Sequence, residues 1–217
     1  MCGRYISPDE AAMERHWGLK RPDNFFQSYN VAPSQLAPVI RRRPEGDLDL
    51  DMLTWGFQSD WSKRSWINAR SETASESKAF GSSFRKRRCL VPALGWYEWQ
   101  GASSPKQPYV FHLGDFGPIA FAGIWTARET PEGWLPSYAI LTRNAVSAAR
   151  NIHDRMPVVL RPRDYETWTD PSLKTDEAQM LTQSEGDPLR LYPVSTYVNK
   201  PENNGSRCIE RFSREGT

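Results

Sequence analysis

Several features that would mark a metalloprotein, a secreted protein or a membrane protein are missing from this chain. Its three cysteines, Cys2, Cys89 and Cys208, lie far apart, and none has the C-x-x-C spacing of a zinc site or a redox pair. An odd count also argues against a disulfide framework, so a reduced, cytoplasmic compartment is expected, with no metal and no cofactor. No apolar run approaches the length of a transmembrane helix, and no apolar segment precedes Cys2 that could make it a lipidated cysteine after a signal peptide. Glycine stands at position 3 rather than 2, which excludes N-myristoylation. No membrane association is expected. Strong net charge is missing too: 28 lysines and arginines face 26 acids. Any affinity for nucleic acid must therefore come from a local basic patch. Internal repeats and low-complexity linkers are absent.

What remains is a 217-residue chain with ordinary apolar content and many aromatics, including nine tryptophans. One sizeable core is expected, with a single domain over 2–210 and a frayed tail over 211–217. A core needs only a few tryptophans, which leaves others to line a groove. Ser7-Pro8-Asp9-Glu10 reads as a helix start with a serine cap, and the helix should run to about Trp17 and end at Gly18. Its apolar face would carry Ala12, Met13, His16 and Trp17. Leu36 to Ile40 and Leu48 to Trp55 flank a polar turn and read as a hairpin. Further strands are expected at Cys89–Val91, Tyr109–Leu113, Ile119–Trp125 and Tyr138–Thr142, and an extended run at Leu189–Val194. Helical signals recur at Ala145–Asn151, Arg163–Trp168 and Thr175–Leu181. Many short strands with separate helices indicate an α+β fold, with a curved, barrel-like, mainly antiparallel β core and peripheral helices.

Four places could carry chemistry. Cysteine is small enough for Met1 to be removed, and a terminal Cys2 would set an α-amine beside a thiol. Both groups titrate near neutral pH, and as a 1,2-aminothiol they suit aldehydes: the amine forms an imine and the thiol closes a thiazolidine. The alternative is a cysteine that simply follows methionine. Asn68 could orient a reacting group and Arg70 could hold a phosphate bidentately, against the alternative of a capped helix start. Glu98 sits among three rings in Gly95-Trp96-Tyr97-Glu98-Trp99, where desolvation would favour its neutral form; otherwise it faces water on an exposed strand face. His153 lies in a polar loop between elements, where functional groups concentrate, whereas His16 and His112 read as structural. Basic runs at Arg41–Arg43, Lys63-Arg64 and Arg85-Lys86-Arg87-Arg88, interleaved with Trp55, Phe57, Trp61, Trp66 and Phe84, have the composition of a single-strand binding groove. For Arg41–Arg43, at a hairpin end, a solvated face is the simpler reading.

Met1-Cys2-Gly3-Arg4-Tyr5, Tyr29-Asn30-Val31-Ala32-Pro33, Trp55-Gly56-Phe57, Asn68 to Thr73, Gly95 to Trp99, Ile152 to Pro157, Val194-Ser195 and Val198-Asn199 together resemble the SOS response-associated peptidase (SRAP) family. Its members form covalent links to abasic sites in single-stranded DNA. The resemblance implies that Cys2 is the crosslinking residue, that Glu98 and His153 move protons, and that Asn68 positions the N-terminus. It places Arg4 and Arg70 on phosphate and Trp61 in an aromatic loop beside the site, with Arg85 and Arg155 as further DNA contacts. The expected partner is single-stranded DNA containing abasic sites, bound by a monomer without a metal. Two other readings stay open: a cysteine-dependent (auto)peptidase, using Cys2 with His153 and Asn68, and a non-catalytic single-strand binding module.

Overall fold

The computed structural model describes residues 2–19, 27–58, 64–101, 106–131, 133–184 and 188–212. In chain order it comprises β1 (Arg4–Ile6), α1 (Glu10–Trp17), β2 (Leu36–Arg42), β3 (Leu48–Trp55), β4 (Phe57–Gln58), β5 (Ser65–Trp66) and β6 (Asn68–Arg70). There follow α2 (Ser71–Ala74), α3 (Gly81–Lys86), β7 (Arg88–Ala93), β8 (Gly95–Gln100), β9 (Gln107–Leu113), β10 (Ile119–Thr130) and β11 (Gly133–Asn144). The chain ends with β12 (Arg155–Pro157), β13 (Val159–Leu160), α4 (Tyr165–Thr169), α5 (Thr175–Leu181) and β14 (Leu189–Pro193), with 3-10 turns between and after them.

Five strands close on themselves in the order β11-β3-β2-β7-β10, and β10 returns to β11. Four of these pairings are antiparallel; β3 meets β11 in parallel, Thr54 opposite Ser137. The result is the curved, barrel-like α+β architecture expected from the sequence. Alternation along each strand explains its packing. Val39, Leu53, Cys89, Val91, Phe121 and Ile140 share the inner cluster, while Ile40, Leu50, Leu90, Ala120, Ala122 and Leu141 face an outer cluster. Met13 of α1, Phe84 of α3, Trp168 of α4 and Ala178 of α5 cover that outer face. Strands buried on both faces read as continuous apolar runs, and β7 is buried throughout.

A second sheet, β1-β8-β9-β14, lies against one end of the barrel. Its β8 strand sends Trp96 into the inner cluster and Tyr97 and Trp99 into a third cluster with Val194, Val198 and Cys208. Gly95 lets β8 approach β9, because a Cβ there would stand 2.4 Å from the carbonyl oxygen of Phe111. The Asn30 amide ties this layer together, donating to the carbonyls of Val198, Lys200 and Asn203. The sequence pieces Tyr29-Asn30 and Val198-Asn199 thus serve the scaffold.

Some expectations change. The α1 cap is Asp9, whose carboxylate accepts from the Ala12 N–H, and Ser7 instead accepts from the Ser28 N–H. Of the expected apolar face only Met13 is fully buried, and His16 is exposed. The run Ala145–Asn151 forms a 3-10 turn from Ser147, and the run Arg163–Trp168 divides between a 3-10 turn and α4. Trp55, Phe57 and Phe84 are fully buried, so none offers a ring for stacking. Arg41 and Arg43 pair with Asp49 and Asp51, and Arg42 pairs with Glu166. Arg88 is buried and donates to the carbonyls of Trp168, Phe84, Arg85 and Asp170. These basic runs therefore largely hold the fold together.

Candidate active site at the amino terminus

The antiparallel register of β1 on β8, with Arg4 opposite Tyr97 and Tyr5 opposite Trp96, carries the start of the chain along the strand that bears Glu98. Cys2 is completely buried in the inner cluster, which also holds Tyr5, Trp55, Trp96 and Tyr138. Its thiol donates a long hydrogen bond, 3.9 Å, to the Arg4 carbonyl. Burial, and then the nearby Glu98 carboxylate, push the thiol pKa well up. Beneath it, the hydroxyls of Tyr5 and Tyr138 meet at 2.7 Å inside the barrel.

Asn68 opens β6, which runs parallel to β11 from Ile140. Its amide nitrogen donates to the Cys2 carbonyl at 2.8 Å. Its Oδ1 is buried and accepts no hydrogen bond, an arrangement that costs energy until a donor arrives. Glu98 shares the inward face of β8 with Trp96 and is 3 % exposed. Burial raises its carboxyl to about 7, against the opposing pull of the chain's positive amino terminus. His153 follows the 3-10 turn Ser147–Asn151, and its Nδ1 accepts the Arg155 peptide N–H at 3.0 Å. Burial lowers its pKa, and the amino terminus lowers it further. Cys2, Glu98 and His153 all sense that one positive charge.

The site therefore gathers one residue from the chain start, one from β6, one from β8 and one from the loop before β12. It holds a carboxyl that ionises near neutral pH, an imidazole kept neutral, and a carboxamide with an open acceptor. Such a set can shuttle protons and orient an amine. Among the described residues no cluster of three metal-ligating side chains occurs, and no helix is long and apolar enough to cross a membrane.

The expected DNA contacts divide. Arg70 ends β6 and is exposed. Arg85 is exposed on α3 and donates to the Ser75 carbonyl at 3.0 Å. Arg4 is half-buried, and its guanidinium donates to Asn30 Oδ1 and to the carbonyls of Val198 and Asn199. Arg155 is buried, and both its terminal nitrogens donate to the Glu72 carboxylate. Trp61 lies outside the described residues. Sequence reasoning missed Glu72, Asn144 and the Tyr5–Tyr138 pair. Glu72 sat in view two residues after Arg70, but nothing local ties it to a residue more than eighty positions away.

Comparison with known proteins adds an independent observation. The family model described as SOS response associated peptidase (SRAP) matches residues 1–201. The chain is 36 % identical over 224 residues to the abasic site processing protein YoqW of Bacillus subtilis, covering 97 % of this chain and 99 % of that one. It is 32 % identical over 186 residues to the abasic site processing protein YedK of Escherichia coli, covering 84 % and 83 %. A crystal structure of a Bacteroides thetaiotaomicron protein superposes with a TM-score of 0.86 at 21 % identity, over 98 % of this chain and 100 % of that one, which speaks for the fold. With the family model spanning nearly the whole chain, this protein is a member of the SRAP family.

Proposed function

We propose that this protein captures abasic sites in single-stranded DNA covalently, through Cys2 after removal of Met1. The observation that carries this reading is Glu98: a buried carboxyl poised near 7, sensing the amino terminus beside a buried Cys2. The names of YoqW and YedK support the substrate.

In this reading the ring-opened abasic sugar presents its C1′ aldehyde to the Cys2 amine. The nitrogen lone pair adds to C1′ and the carbonyl oxygen takes up a proton, giving a carbinolamine. Protonated Glu98 then supplies a proton to the departing hydroxyl; water leaves and the C1′=N bond forms. Water's departure leaves a protonated imine and a Glu98 carboxylate; finally the Cys2 thiol adds to C1′, its proton returning to that carboxylate, and the thiazolidine closes with a neutral ring nitrogen. The unpartnered Asn68 Oδ1 is an acceptor for the free Cys2 amine. At the imine stage a base could also remove a proton from C2′ and release the 3′ phosphate, a lyase side reaction. Arg70 and Trp61 would meet the DNA strand.

The buried thiol favours this order over a thiol peptidase. A peptidase needs thiolate at the first step, and burial raises the Cys2 thiol pKa. Here the amine acts first and the thiol adds later as a neutral group losing its proton.

The test is intact mass and a denaturing gel after incubation with an abasic oligonucleotide. Wild type lacking Met1 should form a denaturant-resistant adduct, and Cys2→Ser should form none while still binding undamaged single strands. Absence of any adduct with the wild type would sink the reading. Peptide cleavage that requires Cys2, without an adduct, would establish the peptidase instead.

A further inference from the structure

Asn68 and His153 come from segments far apart in sequence, and one ion pair joins those segments. Glu72 lies in α2, directly after the strand that Asn68 opens. Arg155 opens β12, two residues after His153. Its Nη1 donates to Glu72 Oε1 at 2.7 Å and its Nη2 to Glu72 Oε2 at 2.8 Å, the fork geometry that binds a carboxylate most firmly. The same two nitrogens donate to Asn144 Oδ1 and to the Thr142 carbonyl, each at 2.6 Å. Both acceptors sit on β11, the strand that pairs with β6 and with β12. One side chain thus ties together the Asn68 segment, the His153 segment and the barrel wall between them.

The backbone of Arg155 does something more specific. Its peptide N–H points at His153 Nδ1. A ring nitrogen that accepts a hydrogen bond carries no proton, so the neutral imidazole holds its proton on Nε2. Asp154 Oδ1 lies 2.8 Å from the same Nδ1 and pulls towards the other tautomer, but that side chain is 87 % exposed. Water screens its charge, whereas the peptide N–H is held by the clamp.

We propose that Arg155 is a positioning residue: locked by Glu72, it holds its peptide N–H on His153 Nδ1, so that His153 presents a fixed Nε2–H donor to the reacting oxygen. Resting on the reading above, this divides the labour within the site. A neutral imidazole gives up a second proton far too reluctantly to act as the acid. It polarises the aldehyde oxygen and then the departing hydroxyl by a hydrogen bond, while Glu98 transfers the proton. His153 changes no bond of its own.

The experiment uses the full chain with wild type, Glu72→Gln, Arg155→Gln and Arg155→Lys. Long-range proton–nitrogen NMR correlations report the His153 tautomer above its pKa, with His153→Gln assigning the signals. Adduct formation at saturating abasic oligonucleotide and affinity for the undamaged strand are measured in parallel. The wild type should show the Nε2–H tautomer alone. Glu72→Gln and both Arg155 variants should show a tautomer mixture and a saturated rate about 10- to 100-fold lower, with undamaged-strand affinity unchanged. Lysine should rescue neither, because it keeps the charge and loses the fork. An Nδ1–H tautomer in the wild type, or one tautomer in every variant, overturns the proposal. So does a fall in affinity at Arg155→Gln that lysine restores, with the saturated rate intact, which would make Arg155 a phosphate contact. If Arg155→Gln does not fold, Glu72→Gln decides, since it alters a partly exposed carboxylate. If the wild type forms no adduct, the proposed function fails, and the tautomer measurement alone decides the clamp.

Discussion

Glu98→Gln should make the protein more stable at alkaline pH and leave it nearly unchanged in mild acid. Burial raises the Glu98 carboxyl from an ordinary 4.5 to about 7. Below 4.5 the folded and unfolded chains both carry the proton, and Glu98 contributes no pH dependence. Between 4.5 and about 7 the folded chain keeps a proton that the unfolded chain loses, so stability falls as pH rises. Above about 7 the full penalty is present, about 3 kcal/mol from the two pKa values. At 3 % exposure little solvent screening reduces that figure. Glutamine has the same shape and no charge to desolvate. Thermal unfolding at pH 4 and pH 8.5, on protein whose N-terminus has been checked by mass, should show near-equal midpoints at the lower pH. At the higher pH the variant should melt higher by about 6 to 12 °C. Equal offsets at the two pH values would refute the reasoning. A wild type that gains on the variant as pH rises would refute it too, by showing that the amino terminus outweighs burial.

Three further outcomes follow from the geometry. Tyr5→Phe and Tyr138→Phe each strand a buried hydroxyl and should cost about 1–3 kcal/mol in urea unfolding, whereas the double variant should lie closer to wild type than the two losses added together; strict additivity would mean that the hydroxyls do not interact. Asn68→Asp replaces the donor to the Cys2 carbonyl with an acceptor, and single-turnover adduct formation should slow about 100-fold with undamaged-strand binding retained; an unchanged rate would remove Asn68 from the site. Gly95→Ala drives a Cβ onto the Phe111 carbonyl and should cost about 1–3 kcal/mol by chemical denaturation, and a neutral result would show that β8 can shift without loss.

The strands of the barrel were legible because each has a period. The hairpin Leu36 to Trp55 and the four later strands appear where alternation or a continuous apolar run placed them, and α5 matches Thr175–Leu181 throughout. β6, β12 and β13 were not legible, because two or three residues carry no period, and their pairing with β11 and β10 is decided by tertiary contacts. The α1 cap moved from Ser7 to Asp9 because Ser7 found a partner across the fold at Ser28. Rings and cations misled for a related reason. Trp55, Phe57 and Phe84 have the composition of a stacking platform, yet the same apolar faces are what a closed barrel must bury.

For the site, the residue types alone pointed to Cys2, Asn68, Glu98 and His153, since an aminothiol, a carboxamide, a carboxyl among rings and a scarce histidine each have distinctive chemistry. Their number, order and spacing also sufficed to suggest the family. What no local pattern contains is the environment of each group: that Glu98 turns inward, that Asn68 meets the Cys2 carbonyl, and that Arg155 spends its charge on Glu72. Burial and pairing depend on which segments share a barrel end, and that is fixed only when the non-local strands close. The candidate groups were therefore visible in the sequence, and their burial and pairing belong to the fold.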